Sequence, residues 1–307
     1  MKSKIIVIVG PTASGKTDLS IKLAKEFNGE CINADATQIF CGTDIATNKI
    51  TKGEMEGIKH HLLSIKKVNE SYSVAQFQTD GRNAIDSIIK KNKTPIIIGG
   101  TGLYINALIR NYNFNSNDHI EGFIERYKND TNQKLWDKLN ILDPISASQI
   151  HPNNRYRILR ALEIFKLNGI KKSELIIDNK NFYYDNIIII GINPERNLLH
   201  NKINERVLKL VDIGLFEEIK NAWLDNNKNS KAQALKCIGG PEIIAFLNNE
   251  IDYNSTISLM QRNNRRYARR QLTWFKNQLK ETKWFTHNYD DYQLMCLEII
   301  NYIKQIY

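Results

Sequence analysis

The stretch that most constrains this chain is Gly10-Pro11-Thr12-Ala13-Ser14-Gly15-Lys16-Thr17. It follows an apolar run, Ile5 to Val9, and precedes an amphipathic one, Asp18 to Phe27. Strand, glycine loop and helix in that order are the context in which a GxxxxGK[ST] pattern acts as a P-loop. The loop amides and the unpaired N–H groups at the helix start converge on one point, where the helix dipole adds positive potential. Lys16 supplies a point charge for a terminal phosphate, and the Thr17 hydroxyl is suited to Mg²⁺. The implied ligand is a polyphosphate or pyrophosphate, bound by Gly10 to Thr17.

The rest of the chain reads as a parallel sheet built around that loop. Cys31 to Asp35 is a short second strand ending in an acid, which a doubly wound sheet brings to the same mouth as the P-loop. Ala36 to Lys49 reads as loop, and the His60-His61 pair reads as structural, with no further metal ligands nearby. Ser73 to Lys91 has helical periodicity, and Pro95 to Ile98 is a buried strand ending in Gly99-Gly100-Thr101-Gly102, with a helix from Leu103. An ATP-hydrolysing P-loop enzyme usually has an apolar strand ending in an aspartate for its metal and water, but Ile96 to Ile98 ends in glycine. Leu175-Ile176-Ile177-Asp178 imitates that pattern inside a polar stretch, and Asp35 is the better-placed acid. From residue 111 to 185 helical patterns alternate with Asn-rich joints, and Ile187 to Ile192 then returns as a continuous apolar run, as a buried parallel strand requires. The expected fold is an α/β, P-loop NTPase-like parallel sheet flanked by helices. Residues 1–110 and 186–307 form the core, and 111–185 form a helical insertion. Arg196 to Trp223 reads as a long helix interrupted near Gly214.

Charge adds a second signal. The formal net charge is +10, and no acidic residue lies between Asp252 and Glu281. Arg262, Arg265, Arg266, Arg269, Arg270 and Lys276 cluster there, interleaved with Tyr267, Trp274 and Phe275. Helical spacing puts Arg262, Arg266, Arg269 and Arg270 on one face, an arrangement suited to a phosphate backbone and unstacked bases. Cys31, Cys41, Cys237 and Cys296 have no metal-like spacing, which points to a reducing, cytosolic compartment. No run reaches membrane-spanning length, and a signal peptide would be cleaved through the P-loop.

The motifs together carry more than any one alone: GPTASGKT, NADATQIF, GTDIATNK, HHLL, YSVAQFQ, PIIIGGTGLY, IHPNNRYRILRALEIF, CIGGPE and NNRRYARRQLTWF. In this order they resemble the bacterial tRNA dimethylallyltransferases (isopentenyltransferases), over nearly the whole chain. The resemblance implies that the P-loop holds the pyrophosphate of dimethylallyl diphosphate. It also implies that the prenyl group passes to the exocyclic amine of the adenosine 3′ of the anticodon in tRNA. Asp35 is then the acceptor of the amine proton, and Thr101 orients the same amine. Lys16, with Mg²⁺ on Thr17, stabilises the leaving group, and Arg157 and Arg196 are partners for the pyrophosphate or for loop phosphates. The positions matching tRNA contacts are Asp35, Ala36, Thr37, Gln38, Thr101, Tyr156, Arg157, Ile158, Leu159, Arg160, Cys237, Ile238, Gly239, Gly240, Pro241 and Glu242, beside the basic-face residues Arg262, Arg266 and Arg270. The partners implied are a tRNA anticodon stem-loop and dimethylallyl diphosphate, with no membrane, acting as a monomer.

The chain departs from the family pattern at several tRNA contacts. Ala36 stands for a usual serine, Cys41 and Glu121 for usual arginines, Asn154 for an aspartate, and Gly240-Pro241 for an aromatic and a basic residue. The P-loop, Asp35 and Thr101 are intact. Rival readings are a P-loop kinase, prenylation of free adenine nucleotides, and a catalytically silent RNA-binding relative.

Overall fold

The computed structural model describes residues 4–112, 120–175 and 181–306. Strand β1 (Ile5–Val9) leads through the P-loop into helix α1 (Lys16–Glu26), and β2 (Gly29–Asn33) and the two-residue β3 (His60–His61) follow. Helix α2 (Val74–Lys90), β4 (Thr94–Ile98) and α3 (Gly102–Ile109) complete the N-terminal half. The helices α4 (Phe123–Arg126), α5 (Asn132–Leu142), α6 (Pro144–Gln149), α7 (Arg155–Asn168) and α8 (Lys172–Leu175) come next. The chain returns as β5 (Ile187–Pro194), α9 (Arg196–Asp212), α10 (Leu215–Asp225), α11 (Gly240–Leu247), α12 (Tyr253–Gln278), β6 (Lys283–His287) and α13 (Tyr292–Ile306).

The strands form one six-stranded sheet in the order β3-β2-β4-β1-β5-β6, and all the pairs are parallel. Ile6 stands opposite Ile96 on one side and Ile188 on the other, so β1 is central and covered on both faces. This is why Ile5 to Val9 is apolar without alternation, and every one of those residues is buried. On one face α1 and α13 pack Leu19, Leu23, Met295, Ile299 and Ile303 against the isoleucines of β1 and β5. The left edge is blunted by its brevity, since β3 offers two residues to any further strand. His61 of that edge bonds Glu30 at 2.7 Å, a structural role for the histidine pair.

The expected α/β sheet with flanking helices is what forms, and local chemistry sets its helices. Ser73 and Gln76 close a capping box at the start of α2, while Phe77, Ile85 and Ile88 fall on its buried side. Asp252 caps α12 by accepting from Ser255 N at 2.9 Å. The buried stripe of α12, Thr256, Met260, Asn264, Ala268, Gln271 and Phe275, recurs every three or four residues and leaves the other side for its arginines. Gly214, left-handed at φ 105°, separates α9 from α10. Beyond Glu281 the structure adds two elements, β6 and α13, that the sequence patterns do not announce. Strand β6 is a five-residue edge strand that alternates exposure instead of running apolar.

By contacts the chain divides into two units, residues 1–108 with 185–307, and residues 109–184. The second has its own core, in which Leu135 and Leu139 of α5 meet Ile158, Leu159 and Leu162 of α7. Trp136 Nε1 donates to the Ile150 carbonyl at 2.9 Å, and Asp143 caps α6 while accepting from Ser173 N at 3.0 Å. The Walker-like acid considered at Asp178 lies outside the described residues.

Candidate functional site

The carboxyl ends of β1, β2 and β4 open onto a cavity of about 450 Å³. Its walls carry Lys16 and Thr17 from the P-loop, Asp35 after β2, and Gly99-Gly100 after β4. Gly15 caps α1 in the left-handed region at φ 90°, which lets the loop turn into the helix with its amides unspent. Lys16 folds back to donate to the Pro11 carbonyl at 2.6 Å.

Arg206, from the middle of α9, enters the same cavity and donates to Thr12 Oγ1 at 2.6 Å. Burial, opposed by Asp35 and reinforced by Arg206, pushes the Lys16 ammonium down to about 7. Burial lowers Arg206 to about 10. Arg206 Nε and Ser14 Oγ are buried without a hydrogen-bond partner among the described residues. Two cations crowded together with orphaned polar atoms describe a place built for a polyanion.

Asp35 is held for use. Thr37 donates its N–H at 3.0 Å and its hydroxyl at 2.7 Å to Asp35 Oδ1, while Asn33 Oδ1 accepts from Asp35 N at 3.1 Å. Thr101 Oγ1 accepts from Ala36 N at 3.0 Å, tying the β2 loop to the β4 loop. Gln271 of α12 bridges the two substrate walls: its Oε1 accepts from Thr12 N at 2.8 Å, and its Nε2 donates to the Gly100 carbonyl at 2.9 Å. Tyr267, one turn earlier, bonds Thr101 and Gln271, and burial raises its phenol.

The third wall comes from the segment before α11. Cys237, Ile238, Gly239, Pro241 and Glu242 line the cavity, and burial pushes the Cys237 thiol up to about 12, so it is inert there. Gly240 does not line it. A Cβ on Gly240 would stand 2.0 Å from the Leu235 carbonyl oxygen, so this backbone demands glycine. Pro241 occupies the first turn of α11, where its missing N–H costs nothing. The turn therefore requires the glycine at 240 and accommodates the proline at 241.

The structure redistributes the other expected site residues. Thr37 and Gln38 line the cavity, whereas Ala36 and Thr101 sit behind it. Arg266 and Arg270 reach its rim. Arg262 instead lines a second cavity, of about 810 Å³, with Arg265, Arg269 and Arg196. Arg196, expected at the pyrophosphate or at loop phosphates, lines this second cavity as the first residue of α9, whereas Arg206 lines the cavity beside the P-loop. Tyr156 and Arg157 are exposed on α7 in the helical unit. Ile158 and Leu159, expected among RNA contacts, point into that unit's core and present no side chain outside it. Arg160 is half-buried and paired with Glu163 at 2.6 Å.

Sequence reasoning missed Arg206 and Gln271, and read Tyr267 only as an aromatic of the basic run. Arg206 is one charged residue of an amphipathic helix, adjacent to the buried Val207, and nothing local marks it. Among the described residues no group of three or more His, Cys, Asp or Glu side chains is poised for a metal. Among the side chains lining the cavity, the Thr17 hydroxyl is a hard oxygen donor of the kind that suits Mg²⁺. No described helix is long and apolar enough to cross a membrane.

A family model described as IPP transferase matches residues 38–278. The chain belongs to this family. It is 43% identical to the tRNA dimethylallyltransferase of Anoxybacillus flavithermus, across 99% of this chain and 97% of that protein. The full-length tRNA isopentenylpyrophosphate transferase of Bacillus halodurans, a crystal structure, superposes with TM-score 0.75 at 40% identity, covering 99% of this chain and 96% of that one. A eukaryotic dimethylallyltransferase, solved acting on tRNA, superposes with TM-score 0.80 at 28% identity, covering 93% of this chain and 74% of that one. The P-loop precedes the residues matched by the family model.

Proposed function

We propose that this member of the IPP transferase family transfers a dimethylallyl group from dimethylallyl diphosphate to the N6 amine of the adenosine 3′-adjacent to the anticodon in tRNA. One observation carries the reading: a single cavity sets the P-loop, Lys16 and Arg206 opposite Asp35. A diphosphate held by the loop amides and the two cations leaves as negative charge grows on its bridging oxygen, and preorganised donors stabilise that charge. N6 attacks the first prenyl carbon, the carbon–oxygen bond breaks, diphosphate departs, and the amine proton passes to the free oxygen of Asp35. Thr101 acts one step back, holding the Asp35 loop through Ala36 N. Thr17 would hold a Mg²⁺ ion through its hydroxyl, and that ion would supply further neutralisation of the leaving group's charge.

The names of the relatives support tRNA as the acceptor, and so does the basic α12. Arg266 and Arg270 at the rim suit the phosphates of a loop whose target base has left its stack. Arg196, Arg262, Arg265 and Arg269 offer the adjoining groove to the backbone beyond. The helical unit adds the exposed Tyr156 and Arg157 as RNA contacts. The enzyme acts as a cytosolic monomer.

Asp35→Asn separates the roles. It keeps the size and the Thr37 contacts but removes the proton acceptor, so turnover should fall by about 10²–10⁴ while diphosphate affinity holds. Equal loss of dimethylallyl diphosphate affinity would contradict the assignment.

A further inference from the structure

None of His287, Tyr289 and Tyr292 lines the P-loop cavity, yet all three are tied to the P-loop at successive carbonyls. Tyr289 donates its hydroxyl to the Ala13 carbonyl at 2.9 Å. His287 Nε2 meets the Ser14 carbonyl at 3.2 Å, and Tyr292 donates to the Gly15 carbonyl at 2.7 Å. One short segment between β6 and α13 thus holds three consecutive peptide groups of the loop. His287 Nδ1 accepts from Tyr289 N at 3.0 Å, so the ring proton sits on Nε2 and the neutral imidazole is satisfied at both nitrogens. The three rings lock one another, His287 lying 4.7 Å from Tyr289 and 5.3 Å from Tyr292. Burial raises both phenols and lowers the imidazole, which keeps two hydroxyl donors and one neutral ring in place.

A trans peptide points its C=O and N–H to opposite sides. Pinning the carbonyls of residues 13, 14 and 15 from outside therefore fixes the N–H groups of Ser14, Gly15 and Lys16 on the other side, as an anion-binding nest requires. A peptide free to flip would offer an incoming diphosphate a carbonyl oxygen instead. The ring of Tyr292 also fills the space beside Gly15, where a Cβ would stand 2.5 Å from it.

We propose that His287, Tyr289 and Tyr292 are positioning residues that clamp the P-loop amides in their diphosphate-binding orientation before substrate arrives. This rests on the reading that the P-loop holds the diphosphate. The residues act through the loop and touch no reacting atom.

The test is calorimetric titration of inorganic diphosphate with Mg²⁺ into the full chain. Tyr289→Phe, Tyr292→Phe and the double variant delete hydroxyls while keeping the rings. Each single change should weaken diphosphate binding about fivefold and the pair about twentyfold, the scale of one and two net hydrogen bonds. The KM for dimethylallyl diphosphate should rise with it, while tRNA affinity and thermal midpoint stay near wild type. His287→Gln, which keeps a donor for the Ser14 carbonyl, should bind diphosphate more tightly than His287→Ala. Wild-type diphosphate affinity in the double variant overturns the clamp, as does a lowered thermal midpoint with affinity unchanged. A wild-type chain that binds no diphosphate overturns the underlying P-loop reading, which the first titration decides on its own.

Discussion

Arg206→Gln is the substitution with the sharpest expected consequence. The Arg206 guanidinium is fixed by its 2.6 Å bond to Thr12 Oγ1, and its Nε is buried with no partner among the described residues. In the diphosphate complex it offers a forked pair of charge-assisted bonds, each worth about 1.5–3 kcal/mol. Because the leaving group gains charge in the transition state, the loss should appear in turnover as well as in binding. Removing one such preorganised donor costs about 10²–10³ in rate, so kcat/KM for dimethylallyl diphosphate should fall by that factor. Binding of tRNA, measured by filter retention, should change by less than about threefold, since the rim arginines are untouched. Stability should not drop: the variant removes a buried charge that has no ion-pair partner among the described residues. Arg196→Gln is the internal control, because that residue lines the second cavity. If Arg206→Gln loses less than about tenfold, or Arg196→Gln loses as much, the placement of the cations is wrong.

Diphosphate binding should be coupled to proton uptake through Lys16. Its pKa of about 7 in the free site rises when the anion restores the ammonium's partner, so the ready-charged form prevails below 7 and is lost as pH rises. Affinity for Mg-diphosphate should weaken about fivefold from pH 7 to pH 8 beyond the ligand's own titration, with proton uptake seen as buffer-dependent calorimetric heat. Lys16→Arg should abolish the uptake; uptake that persists would place the titrating group elsewhere. Replacing Arg266 and Arg270 by Gln should weaken tRNA binding and reduce its salt slope by roughly one for each phosphate no longer neutralised. An unchanged slope would mean those side chains only face solvent.

Much of this architecture is written locally. The P-loop, the apolar strands read at Ile5 to Val9 and Ile187 to Ile192, and the helical periodicity of Ser73 to Lys91 each announce an element through short-range pattern. Asp35 was legible because a parallel sheet sends the end of β2 to the same mouth as the end of β1. What escapes a reading of the sequence depends on long-range packing. Arg206 reaches Thr12 across the whole middle of the chain, and Gln271 joins Thr12 to Gly100 from the inner face of α12. Neither residue type at its own position signals such a partner. Arg196 shows the same limit, since a first-turn arginine matched by resemblance carries no direction until α9 is placed. Ile158 and Leu159 lie in a stretch matched to RNA contacts by resemblance, yet both side chains are buried in the core of their own unit. Strand β6 escapes because KWFTH alternates over five residues at a sheet edge, too short a pattern to stand out.

The measurement that tests the central claim most directly is transfer itself. Purified chain, Mg²⁺, radiolabelled dimethylallyl diphosphate and unmodified total tRNA are incubated with AMP and ATP as competing acceptors. The account predicts label in tRNA, released on nuclease digestion as an N6-prenylated adenosine from the position beside the anticodon. Label in AMP alone would contradict it, and so would no label in any acceptor while tRNA and diphosphate both still bind.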